Sequence, residues 1–222
     1  ILETLVSLDD NGKPKPRLAL SWSSSEDFKT WTFKLRPDVK FHDGPPPTAK
    51  GVHASWHKLV FPRAGLPSAR QGLFTMVEKI EAPDDSTVVF NLARPMQDFA
   101  TLLPELAIVN RALVSTNEKN NDWGQEWLQR NSAGSGSYIP FRRDREGAFV
   151  ATRFAEHFIS DWAPNSIEEF EVNPVADPSA RVAALLRGEV GGILGQLPID
   201  QLNHIRGTPG FNIVEQPTLR LV

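Results

Sequence analysis

The chain has 222 residues, a formal net charge of −3 at pH 7 and no cysteine. This length accommodates one or two domains with a substantial core. The slightly acidic charge argues against a nucleic-acid-binding surface, which needs clustered cations, and the absence of cysteine excludes a disulfide framework. No apolar run approaches the ~18 residues that span a bilayer.

Strands and turns are predicted for the first 44 residues. The turn signal Asp-Asn-Gly at residues 10–12 predicts a hairpin between Leu5-Val6 and the region of Ala19-Leu20. From Trp31 to Leu35 apolar and polar residues alternate, the pattern of a strand with one buried face.

Pro37 ends this strand, and the alternation resumes at Val39 and Phe41, which predicts a second short strand. The dipeptide Asp43-Gly44 then predicts a turn, because glycine accepts the positive φ that other residues resist. Thr48 is placed to cap a helix that continues to Val60.

Further elements follow in the middle of the chain. The polar tip at residues 84–86 predicts a hairpin over residues 80–92, and a short helix is predicted over 96–103. A polar helix is predicted within residues 117–131. A second hairpin is expected over residues 138–154.

The last part of the chain predicts alternating strands and helices. Asp177 followed by Pro178 is typical of a helix start, and Gly188 of a helix end. A second helix is predicted around residues 199–205. Strands are predicted over three further segments, residues 167–175, 190–194 and 211–215. This order indicates an α/β sheet flanked by helices.

Several motifs occur together in a recognisable order. They are ILETLV at residues 1–6, PRLA and SW within 16–22, WTFKLRPDVKFHDG at 31–44, KIEAPDDSTVVFNL at 79–92, GSGSY at 134–138 and RVAALLRGEV at 181–190. Together they resemble the family 5 solute-binding proteins of bacterial ABC importers, the dipeptide-, oligopeptide- and nickel-binding group. The chain departs from the family pattern at Lys50-Gly51-Val52, at residues 154–158 (FAEHF in place of NP-x-YW) and at Gly191 in place of an acid.

The resemblance implies an α/β fold, a lobe like that of type II periplasmic binding proteins with a mixed sheet flanked by helices and a small α+β accessory subdomain. Residues 1–132 are expected to form the accessory subdomain with the first strands, and residues 133–222 part of the main ligand-binding lobe. Because family members are longer, the chain is expected to be an internal or truncated piece that lacks the second lobe.

The resemblance also implies ligand contacts. It places the loop that carries Arg63, Arg70 and Gln71 at the lip of the ligand cleft, with Ser68 and Phe74 as neighbours of Arg70. A guanidinium offers a planar fork for a carboxylate, which a peptide C-terminus or a metal chelator presents.

Two more contact zones are implied. One covers residues 105–111, where Asn110 is expected to reach the ligand. The other is the strand with Thr218, Leu219 and Arg220. The resemblance implies no cofactor.

By this resemblance the protein captures peptides or similar small solutes in the periplasm and delivers them to a membrane permease. Its partners would be the ligand and the permease, with no nucleic acid, and the partial chain is expected to expose an apolar face that pairs with another copy. Three alternatives remain: a member that binds nickel or another metal chelate, a hydrolase, and a stand-alone interaction domain.

Two histidine motifs and one glycine motif suggest other chemistry. His53 and His57 lie four residues apart on the predicted helix, but no third metal ligand is evident. His42 beside Asp43 suggests a hydrolase, in which a carboxylate orients an imidazole, but the sequence has no Gly-x-Ser-x-Gly elbow to supply a nucleophile. The segment around Gly136 lacks the lysine of a phosphate-binding loop. We instead expect Gly136 to change the chain direction with positive φ.

Overall fold

The computed structural model describes residues 1–61, 70–143, 148–159 and 162–214. Within them the chain packs as two compact units, Ile1–Val172 and Asn173–Val222. These units are defined by packing, whereas the predicted boundary near residue 132 separates an accessory subdomain from the ligand-binding lobe. That boundary stays a prediction. No helix in the described ranges has the length and apolar character that crossing a bilayer requires.

The first unit contains all the strands and three α-helices of the described residues. The strands are β1 Glu3–Thr4, β2 Val6–Leu8, β3 Pro14–Pro16, β4 Ala19–Ser24, β5 Thr30–Leu35, β6 Val77–Asp84, β7 Thr87–Leu92, β8 Ala107–Ile108, β9 Tyr138–Arg143, β10 Phe149–Arg153 and β11 Glu169–Val172. The helices are α1 Ala49–Val60, α2 Arg111–Thr116 and α3 Gln125–Leu128, with 3₁₀ helices at Gln71–Phe74 and Phe99–Glu105.

A four-stranded antiparallel sheet with the order β4-β5-β7-β6 forms the centre of this unit. In β5 the apolar side chains of Trp31, Phe33 and Leu35 are buried, as the alternation predicts. The hairpin of β6 and β7 turns at residues 85–86, where it was expected. The predicted turn at residues 10–12 is also confirmed, and it joins β2 to β3, with Gly12 at a φ of +75°.

The predicted strand at Val39 and Phe41 is wrong. Both side chains are buried, but their backbone forms no strand. The amide of Phe41 donates to the carbonyl of Pro45, and the amide of Gly44 donates back to Phe41. These hydrogen bonds close the Asp43-Gly44 turn on itself instead of pairing with a neighbouring strand. Gly44 has the expected positive φ, +105°.

Helix α1 covers the apolar face of the sheet. The hydroxyl of Thr48 accepts the amide of Gly51 at 3.2 Å, which confirms the predicted N-cap. Val52 and Trp56 are fully buried. The Trp56 ring centroid lies 4.8 Å from that of Phe90 on β7 and meets it at a steep angle. An aromatic contact therefore fixes the helix to the sheet.

Strands β9, β10 and β11 form a separate antiparallel sheet with β10 in the middle. The predicted hairpin of β9 and β10 is confirmed, and the strand predicted over residues 167–175 is shorter, Glu169–Val172. The Tyr138 ring packs against Phe170 with centroids 4.9 Å apart, and its hydroxyl donates to the carbonyl of Ile167 at 2.6 Å.

The second unit contains α4, Pro178–Leu186, and α5, Ile199–Arg206. The Asp177 carboxylate accepts the amide of Ala180 at 2.7 Å, and Gly188 has a φ of +72°, so both predicted ends of α4 are confirmed.

Two strands predicted in the second unit are wrong. Residues 190–194 and 211–214 have no strand structure. Leu194 and Val214 are 82% and 92% exposed. A strand needs a neighbour for its backbone groups, and no described residue of this unit pairs with these segments. Residue 215 lies outside the described residues.

The predicted positive φ of Gly136 is wrong as well, because Gly136 is not among the described residues with positive φ. The glycine is required for a steric reason. Its amide donates to the carbonyl of Ile1 at 3.1 Å, and a Cβ at this position would lie 2.5 Å from the nitrogen of Ile1. A Cβ on Gly134 would lie 2.1 Å from the Ile1 carbonyl oxygen. These glycines therefore allow two backbone segments to approach.

We expect Gly136→Ala to lower the free energy of unfolding by about 1 to 3 kcal/mol, because the new methyl group overlaps backbone atoms that cannot rotate away. Urea unfolding measures the change. Gly191→Ala is the matched control, since nothing lies within 4 Å of its Cβ position and replacing such a glycine tends to stabilise. Equal effects of the two substitutions would contradict the steric explanation.

Candidate functional site

Two of the three expected ligand-contact zones meet in the structure. Arg70 Nη1 lies 2.5 Å from Glu105 Oε2, and the two side chains are 54% and 43% exposed. Arg70 directly precedes the 3₁₀ helix Gln71–Phe74, and Glu105 ends the 3₁₀ helix Phe99–Glu105. A positive and a negative group are thus presented together at the surface of the first unit. We refer to Arg70 and Glu105 as the charged pair.

Buried side chains hold both helices of the charged pair. Phe74 is 1% exposed and packs edge-on against Trp56, with ring centroids 5.4 Å apart. Phe99 and Leu103, which precede Glu105 on its helix, are fully buried. Phe74 therefore lies in the core of the unit. The charged pair rests on packed elements, which favours a defined geometry.

Asn110 is placed as the N-cap of α2. Its Oδ1 accepts the amides of Ala112 and Leu113 at 3.1 and 3.3 Å. Its Nδ2 donates to Asp43 Oδ2 at 2.7 Å. Both ends of the amide are used in joining α2 to the turn at Asp43-Gly44. Contact of Asn110 with a ligand stays a prediction.

Most of the remaining expected contact residues lie outside the described residues. Gln71 is exposed beside Arg70. Ser68 and Arg63 lie outside the described residues, as do Thr218, Leu219 and Arg220. The structure therefore brings Arg70 close to the zone of residues 105–111, whereas the third zone, residues 218–220, lies outside the described residues.

His53 and His57 are neighbours on α1, with ring centroids 5.4 Å apart. Burial, and next the proximity of His57, lower the pKa of His53 and so favour its neutral form. No cluster of three or more metal-binding side chains occurs in the described part of the chain.

His42 and Asp43 serve different partners. The Nε2 atom of His42 lies 2.8 Å from the carbonyl oxygen of Gly136, and the ring packs edge-on against Phe154. Burial lowers the pKa of His42. Because the Asp43 carboxylate accepts from Asn110 instead, the two side chains hold the turn to the core.

Sequence reasoning missed an ionic cluster of Glu3, Arg17 and His157, in which Glu3 and His157 are buried and the Arg17 side chain is 27% exposed. Arg17 donates two hydrogen bonds to the Glu3 carboxylate, from Nε at 2.8 Å and Nη2 at 2.7 Å. His157 Nε2 lies 3.2 Å from Glu3 Oε1. Because the amide of Ile159 donates to His157 Nδ1 at 3.2 Å, the proton of a neutral ring is on Nε2 and is donated to Glu3. Glu3 and His157 are 5% and 3% exposed.

The residues beside His157 also contact the start of the chain. The Arg36 guanidinium lies 4.0 Å from the ring centroid of Phe158, a cation–π contact. Glu156 forms an ion pair with Lys40. Residues 154–158 are also where the chain departs from the family pattern, so the sequence marks this segment as unusual but does not indicate its partners.

The charge state of Glu3 couples this cluster to pH. Burial raises its pKa, but the hydrogen bond from His157 and the charge of Arg17 outweigh burial, so the net pKa lies below its usual value. A carboxylate with a depressed pKa stabilises the fold at pH values above its unfolded pKa. That contribution is lost as the pH falls through the folded pKa.

We expect Glu3→Gln to lower the free energy of unfolding by about 3 kcal/mol at pH 7, because it removes the charge that Arg17 and His157 share. The difference from the unmodified protein should shrink as the pH falls below about 4.5, the ordinary pKa of a glutamate, and disappear below the lower pKa that Glu3 has in the folded protein. Urea unfolding at a series of pH values measures both effects.

Glu189→Gln is the control for that prediction, since it removes a carboxylate from an exposed pair with Arg187. Such pairs contribute roughly 0 to 1 kcal/mol. A cost of Glu3→Gln no larger than that of Glu189→Gln would show that the ionic cluster does not stabilise the fold.

The fold is that of a periplasmic binding protein. It superposes with a TM-score of 0.81 on the periplasmic binding protein AgaA of A. tumefaciens R10, solved with agropinic acid, at 29% identity over 94% of this chain and 40% of that chain. NikZ of Campylobacter jejuni, solved with Ni(L-His), gives a TM-score of 0.83 at 22% identity over 96% of this chain and 41% of that chain, and supports the fold alone. The α/β prediction is confirmed.

The sequence narrows the class to one family. Residues 13–222 match the model of bacterial extracellular solute-binding proteins, family 5 Middle, and the chain belongs to this family. The probable D,D-dipeptide-binding periplasmic protein DdpA of Escherichia coli K12 is 33% identical over 206 residues, which cover 92% of this chain and 38% of DdpA. The chain thus spans about two-fifths of the length of such relatives.

Proposed function

We propose that this chain is part of the substrate-binding component of an ABC importer. The component captures peptides or similar small solutes in the periplasm and delivers them to a membrane permease. The observation that carries this proposal is the family match over residues 13–222. Proteins of similar sequence, such as DdpA, are named as periplasmic peptide-binding proteins.

The charged pair supplies the first solute contact of the proposed site. A dipeptide ends in a carboxylate, and agropinic acid, bound by AgaA, is an acid by name. Arg70 is half-exposed, precedes a packed helix and already pairs with the carboxylate of Glu105, so its guanidinium suits a ligand carboxylate. This favours a small solute that carries a carboxylate.

The proposed work is non-covalent. A solute that contacts two lobes stabilises the closed form over the open form by its difference in affinity for the two, and this shifts the population towards closure. We expect binding without chemical turnover. Pairing of this partial chain with another copy stays a prediction.

We expect Arg70→Ala to weaken solute binding about ten- to a hundredfold, because a charge-assisted hydrogen bond is worth about 1.5 to 3 kcal/mol. The melting temperature without ligand should not move, since the side chain is exposed. A thermal-shift screen of the full-length protein against dipeptides, oligopeptides and nickel chelates first finds the solute, and calorimetry then compares the variants.

Arg187→Ala is the matched control, because Arg187 also forms an exposed pair with a glutamate, Glu189. It should leave the affinity unchanged. Equal affinity of the Arg70→Ala and unmodified proteins would remove Arg70 from the proposed site. A screen in which no peptide, amino-acid derivative or chelate binds would contradict the proposed function itself.

A further inference from the structure

Two histidines on α1 have no part in the proposed solute site. His53 and His57 lie four residues apart on this helix, and residues at that spacing share one face. Their ring centroids are 5.4 Å apart, with an angle of 38° between the ring planes. His57 is exposed and His53 is half-buried, so solvent reaches the two rings from one side. We refer to His53 and His57 as the histidine pair.

The separation of the two rings fits a single metal ion between them. A histidine nitrogen binds Zn²⁺ at about 2.0 to 2.1 Å, which puts the ion about 3.2 Å from the ring centroid. Two rings on a tetrahedral ion then have centroids about 5.2 Å apart, and a right angle at the ion reduces this to about 4.5 Å. The observed separation of 5.4 Å is close to the tetrahedral value.

The surroundings of His53 prepare its ring for a metal ion. The ring forms a hydrogen bond with the backbone of Ile80 on β6, and because this bond raises the pKa of His53, the ring is the donor. A neutral imidazole has one donor and one acceptor nitrogen, so the other nitrogen keeps its lone pair. Histidine ligands of metals commonly donate their second N–H to a backbone carbonyl in this way, which fixes the tautomer and the ring orientation.

The charge state of His53 also suits a ligand. Burial, and next the proximity of His57, lower its pKa and outweigh the bond to Ile80, so the neutral form is favoured. Only the neutral form of histidine binds a metal ion.

The other histidines of the chain are placed differently. His42 Nε2 lies 2.8 Å from the carbonyl oxygen of Gly136, and His157 Nε2 lies 3.2 Å from Glu3 Oε1, so both rings are engaged in the core. His204 is exposed on α5, and the sequence has no second histidine one turn before or after it. His204 therefore provides a natural comparison for the histidine pair.

We propose that the histidine pair is a binding site for a divalent transition-metal ion, with Zn²⁺ as the ion that its geometry fits best. The two rings supply two ligands and water supplies the others, because no group of three or more metal-binding side chains occurs in the part of the chain that the structure describes. Imidazole suits Zn²⁺, Cu²⁺ and Ni²⁺, whereas Ca²⁺ and Mg²⁺ prefer oxygen ligands. The bound ion joins two successive turns of α1.

Titration calorimetry with ZnCl₂, on the full-length protein freed of metal by a chelator, tests this. His53→Gln and His57→Gln should each weaken one site, and any other site of the longer chain should stay. Loss of a ligand costs no less than loss of a group that orients it, so we expect a fall of at least about tenfold in affinity. ZnCl₂ should also raise the melting temperature of the unmodified protein more than that of either variant. CaCl₂ and MgCl₂ should show no binding that depends on the two histidines.

Two further variants control the experiment. His204→Gln removes an exposed histidine that has no neighbour, and it should leave the ZnCl₂ affinity unchanged. Lys50 lies one turn before His53 on α1, and its positive charge opposes a bound cation. Lys50→Gln should therefore keep or raise the affinity. Circular dichroism verifies that each variant folds, and glutamine in place of His53 keeps an N–H that can donate to Ile80.

The outcomes separate a two-histidine site from other kinds of metal binding. If the unmodified protein binds no ZnCl₂, or if either substitution in the histidine pair leaves the binding unchanged, the pair is not the site. An equal loss in His204→Gln would mean that ZnCl₂ adsorbs to any exposed imidazole, and a loss in Lys50→Gln would also contradict the site. Solute binding by these variants is measured separately, so the proposed function stands or falls on its own screen.

Discussion

The packing of aromatic rings around Phe90 supports most of the first unit. Phe90 projects from β7 and contacts Phe33 of β5, Trp56 of α1 and Phe99, with ring centroids between 4.8 and 5.6 Å apart. Aromatic pairs in such tilted and edge-on arrangements add stability beyond their buried area. A single side chain thus joins the sheet, the long helix and one 3₁₀ helix.

The position of the charged pair follows from this packing. Phe99 starts the helix that ends at Glu105, and it contacts Phe90 directly. Phe74 ends the helix that follows Arg70, and it contacts Trp56, which in turn contacts Phe90. The two charged residues are far apart in sequence, yet the helices that carry them both pack, directly or through Trp56, against the ring of Phe90. Volume changes at Phe90 should therefore act on the surface pair through the core.

The sequence predicted local features well because their causes are local. The caps at Thr48 and Asp177 and the turn glycine Gly44 follow from side-chain oxygens and backbone freedom within a few residues. Val39 and Phe41 show the limit of such reasoning. Alternating burial is what the pattern reports, and burial does not require that the backbone pair with another strand.

Long-range contacts could not be predicted from the sequence, because their causes lie in residues that are distant along the chain. Nothing near Gly136 in sequence indicates that Ile1 lies against it, so the sequence predicts that a glycine matters here but not the steric reason for it. His157 was noticed only as a departure from a family pattern, because its partner Glu3 is 154 residues away. The ion pair of Arg70 and Glu105 was not predicted either, although the family resemblance had named both neighbourhoods.

The first residues of the chain are held by segments that come much later. Glu3 pairs in register with Ile108 of β8, Ile1 lies against Gly136, and the carboxylate of Glu3 binds His157. Closing loops of this length costs chain entropy before any contact repays it. We therefore expect the contacts of residues 1–3 to form late in folding, after the distant segments that they bind have packed.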